Sequence, residues 1–426
     1  MLYKRSVTKM LNTFLPVFNL RVDMSLFEIW REGSPIFIDE SKLSFEYVPK
    51  KLPHRKSQLK SLGHYFKAFV VNPGSATIKA VLLGPIGTGK TVVAKYFGQQ
   101  VENFSKQHGF SIRYVHVNCH KDRTLFLIMH RVARRLEIQV PRRGFSSQEL
   151  IYLIWNYLQT SEKYLLLAID EADYLVISED KDILYDLTRI SEDVYKEQHR
   201  ISLIFIFRDL ANLAMIDSSI RSALAHNIVE FKPYTAKQIY DILWSRIVDE
   251  RAIRPEAVQE ETLELISELV GYDKGGPGDA RLAIELLWRA GKLAERSQAR
   301  SITSEHVQTA YNTVFPSLSK DILENLRKHE LLFLYALTRT LLLKGSIKVP
   351  LGIVEKEYES VCLDLNENPR KHTMIWEYVR TLRSLGIIST EISKKGYRGK
   401  TTLLSIPRVP TKVLKEEIEK ILEKMY

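Results

Sequence analysis

The segment Gly84-Pro85-Ile86-Gly87-Thr88-Gly89-Lys90-Thr91 constrains this chain more than any other. It follows an apolar run that ends at Leu83 and opens a stretch of helical character over residues 92–97. Glycines at its first and sixth positions let successive main-chain N–H groups turn toward one centre, and a helix N-terminus adds partial positive charge there. The terminal lysine and hydroxyl complete a cradle for a triphosphate: Lys90 is placed to reach the β- and γ-phosphates and Thr91 to ligate magnesium. The strand–loop–helix setting predicts an ATP/ADP site with Mg2+ to which Gly84, Pro85, Ile86, Gly87, Thr88, Gly89, Lys90 and Thr91 all belong.

A loop of this kind requires a parallel sheet behind it. Between residues 78 and 231, short aliphatic runs alternate with helical stretches, as crossover connections demand. Residues 80–83, 112–117, 165–169, 202–207 and 228–231 read as strands, each an apolar run covered on both faces. The third ends in Asp170-Glu171-Ala172-Asp173. Such an acidic pair can serve as a helix N-cap. Downstream of a P-loop it is assigned to chemistry instead, with Asp170 holding the metal and Glu171 polarising a water.

The chain has 426 residues, more than one core usually organises. The pattern divides it into an N-terminal arm (1–40), a nucleotide-binding α/β domain (41–233), a helical lid (234–315) and a C-terminal domain (316–426). In the last, helices are expected near 320–343, 351–363 and 371–385, followed by a hairpin around Gly396 and Gly399, which suggests a winged helix. Two cysteines, Cys119 and Cys362, lie too far apart in sequence for a zinc or disulfide framework and fit a reducing cytoplasm. The apolar stretches 1–20 and 331–343 are interrupted by polar residues, so no membrane anchor is expected.

The order of P-loop, acidic pair, further strand and Gly-Asp-Ala-Arg helix resembles the AAA+ ATPases. More closely, it is similar to the archaeal origin-recognition, or replication-initiator, family related to eukaryotic origin recognition and helicase-loading proteins. The residues that carry the resemblance are Tyr47-Val48-Pro49-Lys50-Lys51-Leu52-Pro53-His54-Arg55, Val115-His116-Val117-Asn118-Cys119, Phe231-Lys232-Pro233-Tyr234 and Gly278-Asp279-Ala280-Arg281-Leu282-Ala283. The resemblance implies an α/β P-loop AAA+ ATPase domain with a helical lid, followed by a C-terminal winged-helix domain. It implies that Val48, His54, Arg55 and Tyr234 surround the adenine and that Arg281 touches the γ-phosphate from the lid. The function implied is an ATP-binding replication initiator that recognises duplex origin DNA, acts with a paralogous initiator subunit and helps load the replicative helicase, cytoplasmic and nucleoid-associated. The alternative is a P-loop regulatory or transposition-type ATPase whose winged helix binds protein or non-origin DNA.

Two positions depart from the family pattern. Arg208 stands after the fourth strand, where a polar residue, commonly asparagine, orients the attacking water. A long cation there can pair with Glu171 or a phosphate, so weak ATP hydrolysis is expected. In Ile216-Asp217-Ser218-Ser219-Ile220-Arg221, Arg221 is the candidate arginine finger offered to a neighbouring subunit, with an ordinary surface arginine the alternative.

The formal net charge is +11. A surplus of this size fits a nucleic acid, an anionic membrane or merely a basic surface, and its location decides. Between Arg370 and Lys400, eight basic residues face only Glu377 and Glu391, a local surplus of six. The helix predicted at 371–385 leaves Thr373, Trp376, Glu377, Arg380 and Ser384 on or near its outer face, a reader of the major groove. Arg370 and Lys371 lead into it, and Lys394, Lys395, Tyr397, Arg398 and Lys400 form the wing. A second basic stretch, 121–143, carries a surplus of five. By the resemblance it is a helical insertion that approaches the minor groove, with Arg142 and Arg143 at its tip.

Overall fold

In a computed structural model of the chain, which describes residues 33–140, 144–177, 182–189, 199–208, 221–222, 224, 226–314, 323–346, 348–385, 387–392, 401–406 and 411–425, the expected strands share one parallel sheet. These are β1 (Lys79–Leu83), β2 (Ile112–Asn118), β3 (Tyr164–Asp170), β4 (Ile201–Phe207) and β5 (Ile228–Glu230), in the order β2-β3-β4-β1-β5. Because side chains alternate along a strand, Val81, Val115, Leu167 and Phe205 meet helices Leu125–Arg135 and Ser147–Thr160 on one face. Leu82, Leu166, Ala168 and Ile204 meet helices Lys56–Tyr65 and Lys90–Gln107 on the other. β1, β3 and β4 are buried nearly throughout, as their aliphatic runs require. β2 is covered on both faces, with Ile112 in one core and Val115 and Val117 in the other, but it corrects the expectation of a wholly apolar run. It is one of the sheet's two edge strands, and Arg113 and His116 on it are only half-buried.

Helix ends follow their capping residues. Ser146 with Glu149 and Thr235 with Gln238 each form a reciprocal capping box, satisfying N–H groups that the first turn leaves without partners. The lid comprises Ala236–Val248, Glu260–Val270, Ala280–Arg296 and Ser304–Val314. The chain on either side of the expected boundary at residue 40 packs on this lid: Ile36, Phe37 and Leu43 enter its core. Main-chain bonds from Ile38 N to Ala252 O (3.0 Å) and Arg254 N to Ile36 O (2.9 Å) pin this segment, a strap of residues 33–50, to the lid. Tyr47 Oη donates to Glu250 Oε2 (2.5 Å), and Lys50 N donates to Glu250 Oε1 (2.8 Å).

Gly291 lies beneath the Phe37 ring, and a Cβ there would fall 2.4 Å from Phe37 Cζ. Gly291→Ala is therefore expected to lower stability by about 1–3 kcal/mol through overpacking, seen as a lower denaturant midpoint. An unchanged midpoint would mean that the strap is not seated there.

The C-terminal domain has helices Lys328–Lys344, Leu351–Asp364 and His372–Ser384. Its antiparallel sheet comprises β6 (Val349–Pro350), β7 (Ser389–Ile392) and β8 (Thr402–Ser405), in the order β6-β8-β7. The short β6 and a closing helix Thr411–Met425 extend the expected three helices and wing. That helix packs on Lys328–Lys344, where Tyr335 Oη donates to Glu419 Oε1 (2.7 Å). Cys119 and Cys362 are both buried free thiols in separate cores.

Candidate functional site

β4 lies between β1 and β3, so the segments leaving the carboxyl ends of these strands converge at one sheet edge. Gly84–Thr91 follows β1, Asp170 and Glu171 sit where β3 ends, and Arg208 follows β4. Lys90, Thr91, Asp170, Glu171 and Arg208 line a single cleft, together with Val48, Tyr234 and Arg281.

Lys90 is buried. Its Nζ donates to the carbonyls of Gly84 (2.6 Å) and Pro85 (2.7 Å), which holds the ammonium inside the mouth of the loop. Burial pulls its pKa down to about 8; Asp170 opposes that shift, while Arg281 adds to it. A cation so poorly solvated gains strongly from an incoming polyanion. Thr91 Oγ1 donates to Asp170 Oδ2 (2.8 Å), and His116 Nε2 donates to the same oxygen (3.1 Å). Burial raises the Asp170 pKa, but the bonds from His116 and Thr91 outweigh it and hold the carboxyl below its usual range.

A magnesium ion fits this donor set. Two hard oxygens 2.8 Å apart approach the spacing of about 3 Å between adjacent ligands of an octahedron with bonds of about 2.1 Å. Thr91 and Asp170 would hold the ion, which when bound neutralises phosphate charge.

Glu171 takes φ 55°, a left-handed conformation that costs a side-chain-bearing residue about 1–2 kcal/mol. One of its carboxylate oxygens is engaged by a cation. Arg208 Nη2 lies 2.9 Å from Glu171 Oε2, one of the two partners expected for this arginine. The Arg208 main-chain N–H donates to both oxygens of buried Asp173 (3.1 and 2.9 Å), which fixes the origin of the side chain.

The opposite wall comes from the strap (Phe45, Tyr47, Val48, Pro49) and the lid (Ile242, Arg246, Arg281, Ile284). Asp279 caps the lid helix Ala280–Arg296 by accepting from Arg281 N (2.7 Å) and Leu282 N (3.3 Å). That helix start rests on the P-loop, with Ala280 N donating to Gly87 O (3.1 Å). Gly87 has φ 74°, and a Cβ there would lie 1.8 Å from Asp279 Oδ1, so only glycine permits this approach. Arg281 is exposed in the first helical turn, where the helix dipole disfavours a cation, and a facing anion would compensate.

The remaining candidates divide. Arg55 is buried with its guanidinium carbon 3.8 Å from the centre of the Tyr234 ring, and it donates to Thr88 O (3.0 Å) and Lys232 O (3.0 Å). It fastens the P-loop to the segment entering the lid. His54 turns to Asp241 (2.7 Å) and does not line the cleft. Arg221 is exposed and is absent from the cleft of its own chain. Arg370, Lys371, Thr373 and Arg380 are exposed around helix His372–Ser384. Lys394, Lys395, Tyr397, Arg398, Lys400, Arg142 and Arg143 lie outside the described residues.

In the second basic stretch, helix Leu125–Arg135 covers the sheet with Ile128, Met129 and Val132, leaving Arg134 and Arg135 exposed, while Arg131 pairs with Asp122 (2.8 Å). Sequence reasoning missed His116, Asp173 and Phe45. His116 and Asp173 lie in stretches already singled out, but only proximity in space shows what they touch, and nothing along the chain marks Phe45. Among the described residues, no helix is long and apolar enough to cross a membrane.

Comparison with known proteins accounts for this arrangement. Residues 79–212 match the AAA domain, 240–312 the Cdc6 AAA+ ATPase-type lid domain, and 321–416 the CDC6 C-terminal winged helix domain. The ORC1-type DNA replication protein 2 of Sulfurisphaera tokodaii is 41% identical over 393 residues, covering 92% of this chain and 93% of that one. Two similar solved structures come from Aeropyrum pernix. The ORC1 protein in complex with DNA is 26% identical with a TM-score of 0.61, covering 93% of this chain and 100% of that one. The ORC2 protein in ADPNP–ADP complexes is 26% identical with a TM-score of 0.65, covering 92% and 99%. With its P-loop cleft closed by a Cdc6-type lid and followed by a winged helix, the chain belongs to the ORC1-type DNA replication proteins.

Proposed function

We propose that this protein is a nucleotide-controlled initiator: it binds ATP or ADP with magnesium, grips duplex origin DNA, and hydrolyses ATP feebly. The observation that carries this reading is the Arg208–Glu171 pair inside an otherwise complete phosphate cradle. The site holds the lysine, the hydroxyl and the acidic residue that binding requires, while one oxygen of the water-polarising carboxylate is paired with a cation. One wall of the cleft belongs to the sheet and the other to the lid and strap, so a bound nucleotide would set the angle between them. Residues 33–50 would move with the lid, and the divisions near 233 and 315 stand as proposed domain boundaries.

The winged helix and the basic stretch 121–143 would bind duplex DNA; the similar A. pernix ORC1 protein was solved in complex with DNA, which supports this assignment. Loading of the replicative helicase, a paralogous initiator partner, a nucleoid-associated cytoplasmic location and Arg221 as a trans-acting finger belong to the same proposal.

Duplex affinity tested by anisotropy between 50 and 200 mM salt is expected to fall about a thousandfold or more, as for proteins that neutralise six or more phosphates. It is also expected to fall when Arg380→Ala and Arg398→Ala are combined. Affinity indifferent to both would overturn the winged-helix assignment. Nucleotide retained through purification supports the switch, whereas rapid multi-turnover hydrolysis abolished by Glu171→Gln sinks it.

A further inference from the structure

On helix His372–Ser384, the residues Ile375, Tyr378, Val379 and Leu382 are buried, while His372, Thr373, Arg380 and Arg383 are exposed. Glu377 and Ser384 extend the exposed arc on one side, and at 100° per residue Trp376 falls within it. One flank of its ring packs against the domain core, which leaves the residue half-buried. The indole is also held in place. Its Nε1–H donates to His372 Nε2 (3.1 Å), the two rings being perpendicular with centres 6.4 Å apart. His372 Nδ1 in turn bonds to Glu355 Oε1, on the neighbouring helix Leu351–Asp364.

Chemistry fixes the direction of this relay. An indole nitrogen can only donate, so His372 Nε2 must accept, and the ring proton must sit on Nδ1 and be given to Glu355. Carboxylate, imidazole and indole thus lock a large apolar surface on a helix face that also carries Thr373, Arg380 and Arg383, with Glu377 at its margin.

We infer that Trp376 reads thymine methyl groups in the major groove, its ring aimed by the Glu355–His372 relay. The inference rests on the winged-helix DNA reading and deepens it. The only polar atom of Trp376 is already engaged, so the ring has nothing left with which to recognise a donor or acceptor on a base edge. The one apolar feature on a major-groove edge is the 5-methyl group of thymine. Arg380 and Lys371 would supply phosphate contacts on either side, which position the helix without reading sequence.

The test uses the full chain and a duplex that the wild-type protein selects from a randomised 30-base-pair library, compared with the same duplex carrying deoxyuridine at every thymine. Wild-type affinity is expected to fall about fourfold for each methyl contacted, the value of one buried methyl-sized group. Trp376→Ala should bind both duplexes alike, at the wild-type level for the uracil duplex, and Trp376→Phe, which preserves apolar packing, should keep most of the discrimination. His372→Ala should narrow the thymine-to-uracil ratio without weakening uracil-duplex binding. His372→Gln, whose carbonyl can accept from the indole, should restore that ratio. Equal wild-type affinity for the two duplexes overturns the inference, as does discrimination that survives in Trp376→Ala. If the wild-type chain binds no duplex at all, the DNA reading falls and takes this inference with it.

Discussion

Alanine in place of Lys90 is expected to weaken triphosphate binding by two orders of magnitude or more. The ammonium is already desolvated and already aimed by the carbonyls of Gly84 and Pro85, so little organisation remains for the ligand to impose. A charge-assisted hydrogen bond contributes about 1.5–3 kcal/mol. A lysine serving both the β- and γ-phosphates therefore supplies enough for a loss of about a hundredfold or more. Titration calorimetry with ATP measures it, with an unfolding midpoint as the control for folding. A variant that stays folded and binds within tenfold of wild type would remove Lys90 from the phosphate site. ADP should be less affected than ATP, because one of the two phosphates is missing.

The second large effect has the opposite sign. Arg208→Asn is expected to raise ATP turnover about tenfold. In the wild-type chain, Arg208 Nη2 stands 2.9 Å from Glu171 Oε2, and both side chains are partly exposed, so the pair is worth only about 1 kcal/mol. That modest energy is nonetheless a severalfold bias against a free carboxylate. Asparagine would release Glu171 and also restore a short polar group to the slot after β4. A positioned general base contributes about 100- to 10,000-fold, so there is ample range to recover. The double variant Arg208→Asn with Glu171→Gln should return to the wild-type rate or below. Turnover that stays flat or falls in the single variant would show that Arg208 assists the chemistry and does not restrain it.

Phosphate binding was legible in the sequence because a P-loop is a local device. Its glycines, lysine and threonine are contiguous, and the strand before and helix after them are written in apolar runs of a few residues. The same holds for the central strands, for the helical character of the lid, and for the outward arc of helix His372–Ser384. The edge position of β2 was not legible. Its half-polar pattern around Arg113 and His116 does not by itself show that the strand order leaves one side of β2 without a neighbour. The strap was not legible either, since the pocket for Phe37 is made by Gly291 and Ile253, more than 200 positions away.

The amino-acid sequence by itself therefore determined which chemical groups this protein carries: a phosphate cradle, an acidic pair at a strand end, a cation where a neutral residue is usual, and a basic helix face in the C-terminal domain. Tertiary structure decided which of them meet. Sheet order inserted β4 between β1 and β3, which brings Arg208 to Glu171, and laid β2 against β3, which brings His116 to the oxygen of Asp170 that Thr91 also holds. The reason is physical: hydrogen bonds and ion pairs act over about 3 Å, and only the folded chain brings groups so far apart in sequence within that range.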